Sequence, residues 1–307
     1  MLSNILIAIS ITLMYSAPLA LAAMGGVISE RSGIVNIGIE GMMSIGALAG
    51  ATVGYFSNNA WLGLLCAGLA GALMSVLHAV ASVTFRADQT VSGIALNLIG
   101  PGLAMFLSRY FFNGATLTLP VPAKLPKIVN LKSLQNTAFS NLNLDVTVII
   151  AAVVVILTWF LLYKTKWGLR IRAMGEHPAA VDTLGVSVYK SRYLCVILSG
   201  LLAGLGGGTV TLAIISQFTP TAISGQGFIA LAAVIFGKWR PFGAYWACLL
   251  FGFSQALVVI LGGGTVNFPS TLLAMIPYVL TIIMLIIFVG RSSAPKASGV
   301  PYQKGER

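Results

Sequence analysis

S-E-R-S-G-I-V-N-I-G-I-E-G-M-M, at residues 29–43, separates two long apolar segments with charges and glycines. Glu30, Arg31 and Glu40 stand where an uninterrupted membrane helix would carry apolar side chains. A carboxylate inside a bilayer is costly unless it faces protein or water, so an acid there is a functional candidate. The stretch therefore predicts a polar break in a membrane bundle.

The composition places this stretch in an integral membrane protein. Hydrophobic residues make up 57% of the 307 and charged residues only 8%, against roughly 25% charged in an ordinary soluble domain. The net charge of +11 sits in loops between apolar runs, which favours a role in membrane orientation over nucleic-acid binding. Isolated cysteines and two distant histidines form no metal-binding pattern, and we expect no metal and no cofactor.

Charges divide the chain into apolar runs that can be compared with the roughly 20 residues needed to cross a bilayer. The comparison predicts an all-α, polytopic helical bundle of about 8 full spans, forming one domain over residues 1–307. One run, residues 193–237, is interrupted by Gln217, Pro220 and Gly225. We expect a short broken or half-helix there.

Lysine and arginine are unequally shared between the two sides of the predicted bundle. Fourteen of the 18 lie on the side of Arg31 and four on the other. Because positive loops are retained in the cytoplasm, the amino terminus is predicted outside and the carboxyl terminus inside. The loop at 113–144 then faces out, and the loop at 164–192 and the tail at 291–307 face the cytoplasm.

Two patterns indicate how the helices pack. Ser32-Gly33 and Ser224-Gly225 each open an apolar, glycine-bearing segment, and the two segments run in opposite directions across the membrane. This predicts an inverted repeat, whose interrupted segments typically meet near the bilayer midplane in transporters. Glycines also recur every four residues, which favours close helix contacts; they are Gly46, Gly50, Gly54, Gly200, Gly204 and Gly208.

The basic loop contains a short predicted helix over residues 172–185, with Pro178 in its first turn. One of its faces is apolar and suits docking into a groove on another protein. The alternative is an interfacial helix that lies on lipid.

Four motifs in order make the chain recognisable. They are G-I-V-N-I-G-I-E-G at 33–41, A-D-Q-T-V-S-G-I-A-L-N-L at 87–98, the loop helix at 175–190, and G-Q-G-F-I-A-L-A at 225–232. Together they resemble the permease subunits of bacterial ABC importers, in the branch for branched-chain amino acids, ribose-type sugars and nucleosides. The resemblance covers residues 5–290 and is strongest to nucleoside permeases.

The resemblance implies a multi-pass permease of the bacterial inner or plasma membrane that imports nucleosides by alternating access. Its implied partners are an ABC ATP-binding subunit, a second permease subunit in a heterodimer, and an extracytoplasmic substrate-binding lipoprotein. It also implies a helix that couples to the ATP-binding subunit, with Gly175, Glu176, Ala179, Ala180 and Gly185 as coupling residues. The chain has no phosphate-binding G-x-x-x-x-G-K-[ST] motif, so ATP hydrolysis is expected from the partner and not from this chain.

Polar residues within the apolar runs are candidates for the substrate pathway. Asn36 and Glu40 are four residues apart, hence on one helical face, and Asn97, Gln226 and Phe228 are further candidates. Alternatively, Glu40 caps a broken helix or pairs with a cation. Permeases for sugars or branched-chain amino acids, and an ion-coupled secondary transporter with Glu40 as its carrier, remain alternative functions.

Four charged residues fall at the cytoplasmic ends of early spans: Glu30, Arg31, Arg86 and Asp88. They predict either a gate network or interfacial anchors that hold the spans in register.

Overall fold

A computed structural model describes residues 2–130, 143–262, 270–288 and 294–304. The described chain is built of helices, with one pair of short strands. The elements are α1 Leu2–Arg31, α2 Ile39–Ser57, α3 Ala60–Ala79, α4 Gln89–Phe111, β1 Lys127–Asn130, β2 Asn143–Asp145, α5 Val146–Lys164, α6 Lys166–Glu176, α7 Pro178–Thr183, α8 Val188–Thr209, α9 Gln226–Phe236, α10 Pro241–Gly262 and α11 Ser270–Phe288.

Six helical stretches in the described residues are long and apolar enough to cross a membrane. They are Ile5–Arg31, Ala60–Thr84, Gln89–Phe111, Val146–Lys164, Val188–Ile214 and Pro241–Gly262. Helices α2 and α11 have 19 residues each, whereas α9 has only 11, in the run where a short helix was predicted. The prediction of an all-α, multi-pass membrane protein is confirmed.

Helix α8 lies in the core and packs against α1, α2 and α3. The glycines predicted to allow close contact do so: a Cβ on Gly46 would lie 2.5 Å from the Gly204 Cα atom, and one on Gly200 would lie 2.5 Å from the Gly71 carbonyl oxygen. Larger residues would separate these backbones, because the space for a side chain is already filled by the neighbouring helix.

Two breaks interrupt the long helices. The first break, residues 32–38, joins α1 to α2, and the second break, residues 215–225, joins α8 to α9. Helices α3 and α8 each end in a π-helical turn, Val80–Thr84 and Val210–Ile214. In the turn between α2 and α3, the Asn59 side chain accepts hydrogen bonds from the backbone N–H groups of Trp61 and Leu62 and so caps α3.

The loop after α4 folds back over the second break. Its backbone donates hydrogen bonds there: the Val121 N–H donates to the Ser216 carbonyl at 2.8 Å, and the Thr118 N–H donates to the Phe218 carbonyl at 3.2 Å. Further on, β1 and β2 pair in antiparallel fashion. Residues 131–142 of the loop predicted at 113–144 lie outside the described residues.

The basic loop holds two short helices where one was predicted. Helix α6 ends at Glu176, and α7 begins at Pro178, which occupies the first turn as expected. The residue before a proline is disfavoured in helical conformation, and His177 accordingly has φ −143° and ψ 82°. The single helix over 172–185 is therefore divided at this proline.

Candidate functional site

Glu40 joins the two breaks. It lies in the first turn of α2, directly after the first break, and only 8% of it is exposed. Its Oε1 atom accepts a hydrogen bond from the Gly225 N–H at 2.6 Å, and its Oε2 atom accepts one from the Gly227 N–H at 2.6 Å. The first turn of a helix has no backbone partners for its N–H groups, so Glu40 supplies the cap that α9 lacks.

This cap requires close contact between α2 and α9. A Cβ atom on Gly227 would lie 2.5 Å from the Glu40 Cα atom, which no side chain could occupy without moving the backbone. Gly225, at the start of α9, has φ +87° and directs its N–H toward Glu40. Of the two alternatives that the sequence left open for Glu40, capping of a broken helix is the arrangement found.

Asn36 lies within the non-helical first break, so it does not share a helical face with Glu40 as predicted, and Asn97 of α4 lies next to the break. The two side chains are used differently. The Asn97 side chain accepts a hydrogen bond from the Gly41 N–H and donates one to the Ile37 carbonyl, both at 2.9 Å. The fully buried Asn36 donates to the Ser199 hydroxyl at 2.9 Å, whereas its Oδ1 atom has no hydrogen-bond partner within the described residues. The amide oxygen and nitrogen of Asn97 therefore both bind the backbone, whereas the Asn36 Oδ1 atom remains an unpaired acceptor within the described residues.

Two further buried polar residues hold the first break, and the sequence alone did not single them out as part of this site. Gln89 accepts a hydrogen bond from the Val35 N–H at 2.7 Å, and its Nε2 atom is buried without a partner in the described chain. His78 bonds the Val35 carbonyl at 3.0 Å and the Ser92 hydroxyl at 2.9 Å. For His78, polarity inside a long apolar run was the signal that could have identified it, whereas Gln89 follows the charged Arg86 and Asp88 and gave no such signal.

Gln226 and Phe228 stand at the open side of the same cap. Gln226 is half-buried and donates to the Ala222 carbonyl at 3.3 Å, and Phe228 is 50% exposed. The Tyr278 hydroxyl of α11 is the nearest atom to the space beside Gly225. The second break therefore presents aromatic and amide groups next to the residues that Glu40 holds.

Glu30 and Arg31 hold the turn between α9 and α10. The Trp239 indole N–H donates to Glu30, and the Arg31 Nε atom donates to the Trp239 carbonyl at 2.9 Å. Lys238 and Trp239 have φ of 54° and 53°, an uncommon conformation for residues other than glycine. The end of α1 thus stabilises a strained turn; we call this end of the bundle the Arg31 face.

Arg86 and Asp88 have other partners at the Arg31 face. Arg86 donates to the Gln303 side chain and, at 3.4 Å, to the Tyr189 hydroxyl, whereas Asp88 caps α4 by accepting from the Val91 N–H at 2.9 Å. No ion pair or hydrogen bond in the described ranges joins any two of the four residues predicted as a gate or as anchors. Glu30 and Arg31 share Trp239 as a partner, whereas Arg86 and Asp88 make separate contacts.

Comparison with known proteins agrees with this architecture. Residues 8–289 match the family described as branched-chain amino acid transport system / permease component. The chain is 48% identical to the guanosine ABC transporter permease protein NupQ of Bacillus subtilis and 46% identical to the nucleoside ABC transporter permease protein NupC of Lactococcus lactis, over 96% of each chain. It is 36% identical to a putative glucose ABC transporter permease protein, TsgC13, of Haloferax volcanii, over 80% of this chain and 75% of the relative.

The chain belongs to this permease family. No solved structure matches it significantly. As a permease component, it is a transport subunit of an ABC system and not itself an enzyme, and it works with an ATPase and other components of that system.

The α6–α7 segment of the permease exposes most of the residues that the resemblance assigned to coupling. Glu176, Ala179, Ala180 and Gly185 are exposed, and next to them Leu184 is 82% exposed. Gly175 is different, because it is buried and a Cβ there would lie 2.3 Å from the Arg31 carbonyl oxygen.

The carboxyl-terminal tail of the permease, residues 294–304, crosses this segment. The Ala297 N–H donates to the Gly175 carbonyl at 2.8 Å, and Lys304 lies 3.9 Å from Asp182 of α7. Arg192 of α8 is only 2% exposed and donates to the carbonyls of Ser32 at 3.2 Å and Val300 at 3.4 Å. Arg192 thus links the first break to the tail. The sequence alone did not indicate this role, because Arg192 was counted among the charges of the basic loop.

Proposed function

We propose that this chain is a permease subunit of an ATP-driven ABC importer for nucleosides. The relatives that are 46–48% identical over nearly the whole chain are named as guanosine and nucleoside permeases, which supports this substrate class. The structural observation that carries the proposal is Glu40, whose two oxygens bind the start of α9 and so join two broken helices inside the bundle. Paired broken helices of this kind build substrate paths in transporters.

The membrane arrangement that we propose has eight full spans in one domain. Helices α2 and α11, with 19 residues each, add to the six long apolar stretches. Helices α1–α4 and α8–α11 then form two inverted halves, each with a long first helix, a break with a positive-φ glycine and three further helices; the glycines are Gly33 and Gly225. The excess of positive charge supports a cytoplasmic Arg31 face and carboxyl terminus and an external amino terminus.

The proposed pathway passes between the two breaks. Asn36 and Gln89 each carry a buried polar atom without a partner in the described residues, an acceptor and a donor respectively. These groups could bind ribose hydroxyls or base amines when a conformational change opens the bundle, because buried polar groups are normally satisfied. Gln226 and Phe228 offer an amide and an aromatic ring at the second break, and Glu40 and Asn97 position the backbone around them.

We further propose that α7 is the coupling helix. The exposed Ala180 and Leu184 present small and apolar groups to a groove of the ATP-binding subunit, and Gly175 transmits movement to Arg31 through backbone contact. A second permease in a heterodimer and a substrate-binding lipoprotein complete the proposed importer. Glu30, Arg31, Arg86 and Asp88 act as anchors that hold the cytoplasmic ends together.

The substrate proposal is tested by uptake in cells with and without this chain. Labelled guanosine should accumulate only when the chain is present, and unlabelled nucleosides should compete while ribose and leucine do not. Equal accumulation in both strains would remove the proposal. A glucose permease among the relatives favours simple sugars as the second candidate, and competition by glucose would identify it. Ionophores should leave uptake unchanged; loss of uptake would favour an ion-coupled carrier.

The coupling proposal is tested by Ala180→Arg. This large charged side chain on an exposed helix face should abolish docking, so uptake should fall at least tenfold (about 1.4 kcal/mol) while the chain still reaches the membrane. Ala180→Ser, which keeps a small side chain at the same exposed site, is the matched control and should retain uptake. Normal uptake by Ala180→Arg would exclude α7 as the coupling helix.

A further inference from the structure

A basic cavity lies at the Arg31 face, outside the proposed pathway. Its volume is about 650 Å³. Three arginines from different elements line it, together with aromatic side chains; the lining residues are Arg31, Trp159, Tyr163, Arg172, Arg240, Pro241, Phe242 and Gly243. No carboxylate is among them.

The arginines of this cavity have unused hydrogen-bonding capacity. The Arg172 Nε atom is buried without a partner in the described chain, and its guanidinium stacks over the Tyr163 ring at 4.8 Å. Arg31 donates from Nε and Nη2 to the carbonyls at 238–239, and Glu30, the acid adjacent in sequence, accepts from the Trp239 indole. Guanidinium groups match phosphate geometry with paired N–H donors, so an anionic phosphate would complete this cavity.

The position of the cavity matches that of a lipid headgroup. It is formed where α1 and α5 end and where α10 begins, and tryptophan and tyrosine are enriched at this level of membrane proteins. Gly243 also lines a second, apolar cavity of about 500 Å³ that continues along α10. From Gly243 to Phe253 this groove extends about 15 Å at 1.5 Å per residue, and Trp246 on it is 69% exposed.

We propose that this paired cavity binds an anionic phospholipid, with its phosphate among Arg31, Arg172 and Arg240 and an acyl chain along α10. The positively charged cavity suits the phosphate headgroup of such a lipid, and the apolar groove that continues from it suits the acyl chain. Basic pockets between membrane helices on the cytoplasmic side bind anionic headgroups in this way. The bound lipid would bridge α1, α6 and α10 at the end where Arg31 holds the α9–α10 turn.

Native mass spectrometry of the full-length chain in detergent tests this proposal, with phosphatidylglycerol and phosphatidylcholine of equal chain length as probes. Phosphatidylglycerol should bind at least tenfold more tightly. Arg172→Gln should weaken it about fivefold, and the double change with Arg240→Gln should weaken it further. Arg170→Gln, an exposed site on the same helix α6 that does not line the cavity, removes the same charge and should change binding less than about twofold.

Several outcomes would overturn the proposal. Equal affinity of the unaltered protein for the two lipids would be sufficient. Equal losses of phosphatidylglycerol binding in Arg172→Gln and Arg170→Gln would also overturn it. Inorganic phosphate that displaces the lipid at comparable concentration would identify a free-anion site instead. Loss of lipid binding upon assembly with the ATP-binding subunit would show that an acidic protein surface covers the cavity.

Discussion

The first and second breaks occupy equivalent places after α1 and α8, yet they are stabilised differently. The first break is mostly buried, and side chains from three helices bind its backbone: His78, Gln89, Asn97 and Arg192. The second break is partly exposed, with Ile215 39% exposed, and is held by the backbone of the loop after α4 and by Glu40.

This difference indicates which break moves. A segment fixed by side chains from several helices opens at high cost, whereas one held mainly by the backbone of a single loop and by one carboxylate opens more easily. We therefore expect the first break to remain fixed during transport and the second break to rearrange, with Glu40 as the connection between them. Movement of the second break would also reach the loop after α4 through the contacts of Thr118 and Val121.

The largest effect is expected from Glu40→Ala, which disconnects the breaks. Each hydrogen bond to a carboxylate contributes about 1.5–3 kcal/mol, so the loss of both should destabilise the bundle by about 3–6 kcal/mol. The Gly225 and Gly227 N–H groups would lose their side-chain partner within the bundle, where an unpaired backbone group is costly. Thermal unfolding in detergent measures the loss of stability, and uptake of labelled guanosine should be abolished.

Glutamine variants of the two buried acids Glu40 and Glu30 provide the control for the Glu40→Ala prediction. Glu30→Gln retains a carbonyl oxygen for the single Trp239 N–H, whereas Glu40→Gln turns an NH₂ group toward one of two backbone donors. Glu40→Gln should therefore be clearly less stable than Glu30→Gln. Equal stability of the two variants would mean that Glu40 does not act as a bidentate cap.

The sequence predicted the location of the breaks better than their connections. Gln217, Pro220 and Gly225 predicted a short helix, and α9 has 11 residues, because local chain chemistry ends helices. The partner of Glu40 could not be chosen from sequence, since Gly225 lies 185 residues away and a cap or an ion pair would explain the same acid. Arg192 was counted as a loop charge, yet the docking of the tail buries it.

An intermediate effect is expected from Asn97→Ala, which removes an α4 side chain that binds the first break. The change leaves the Gly41 N–H and the Ile37 carbonyl without their side-chain partner, at a cost of about 1–3 kcal/mol. If the first break is a fixed support, unfolding should occur at lower temperature while the protein that stays folded keeps its apparent affinity for guanosine. A large change in affinity with unchanged stability would instead make the first break the moving part.

The smallest effect is expected from Thr118→Val, which weakens the contact between the loop after α4 and the second break. The Thr118 hydroxyl accepts from the Phe218 N–H at 2.9 Å, a neutral bond that contributes about 0.5–1.5 kcal/mol. Thr116→Val, two positions earlier and half-buried, is the matched control. Because the backbone bond between Thr118 and Phe218 remains, stability should barely change, but a break that rearranges should open more often. Hydrogen exchange of the amides at 215–225 should therefore be faster in Thr118→Val and unchanged in Thr116→Val. Equal exchange rates in the two variants would indicate that the second break is as rigid as the first.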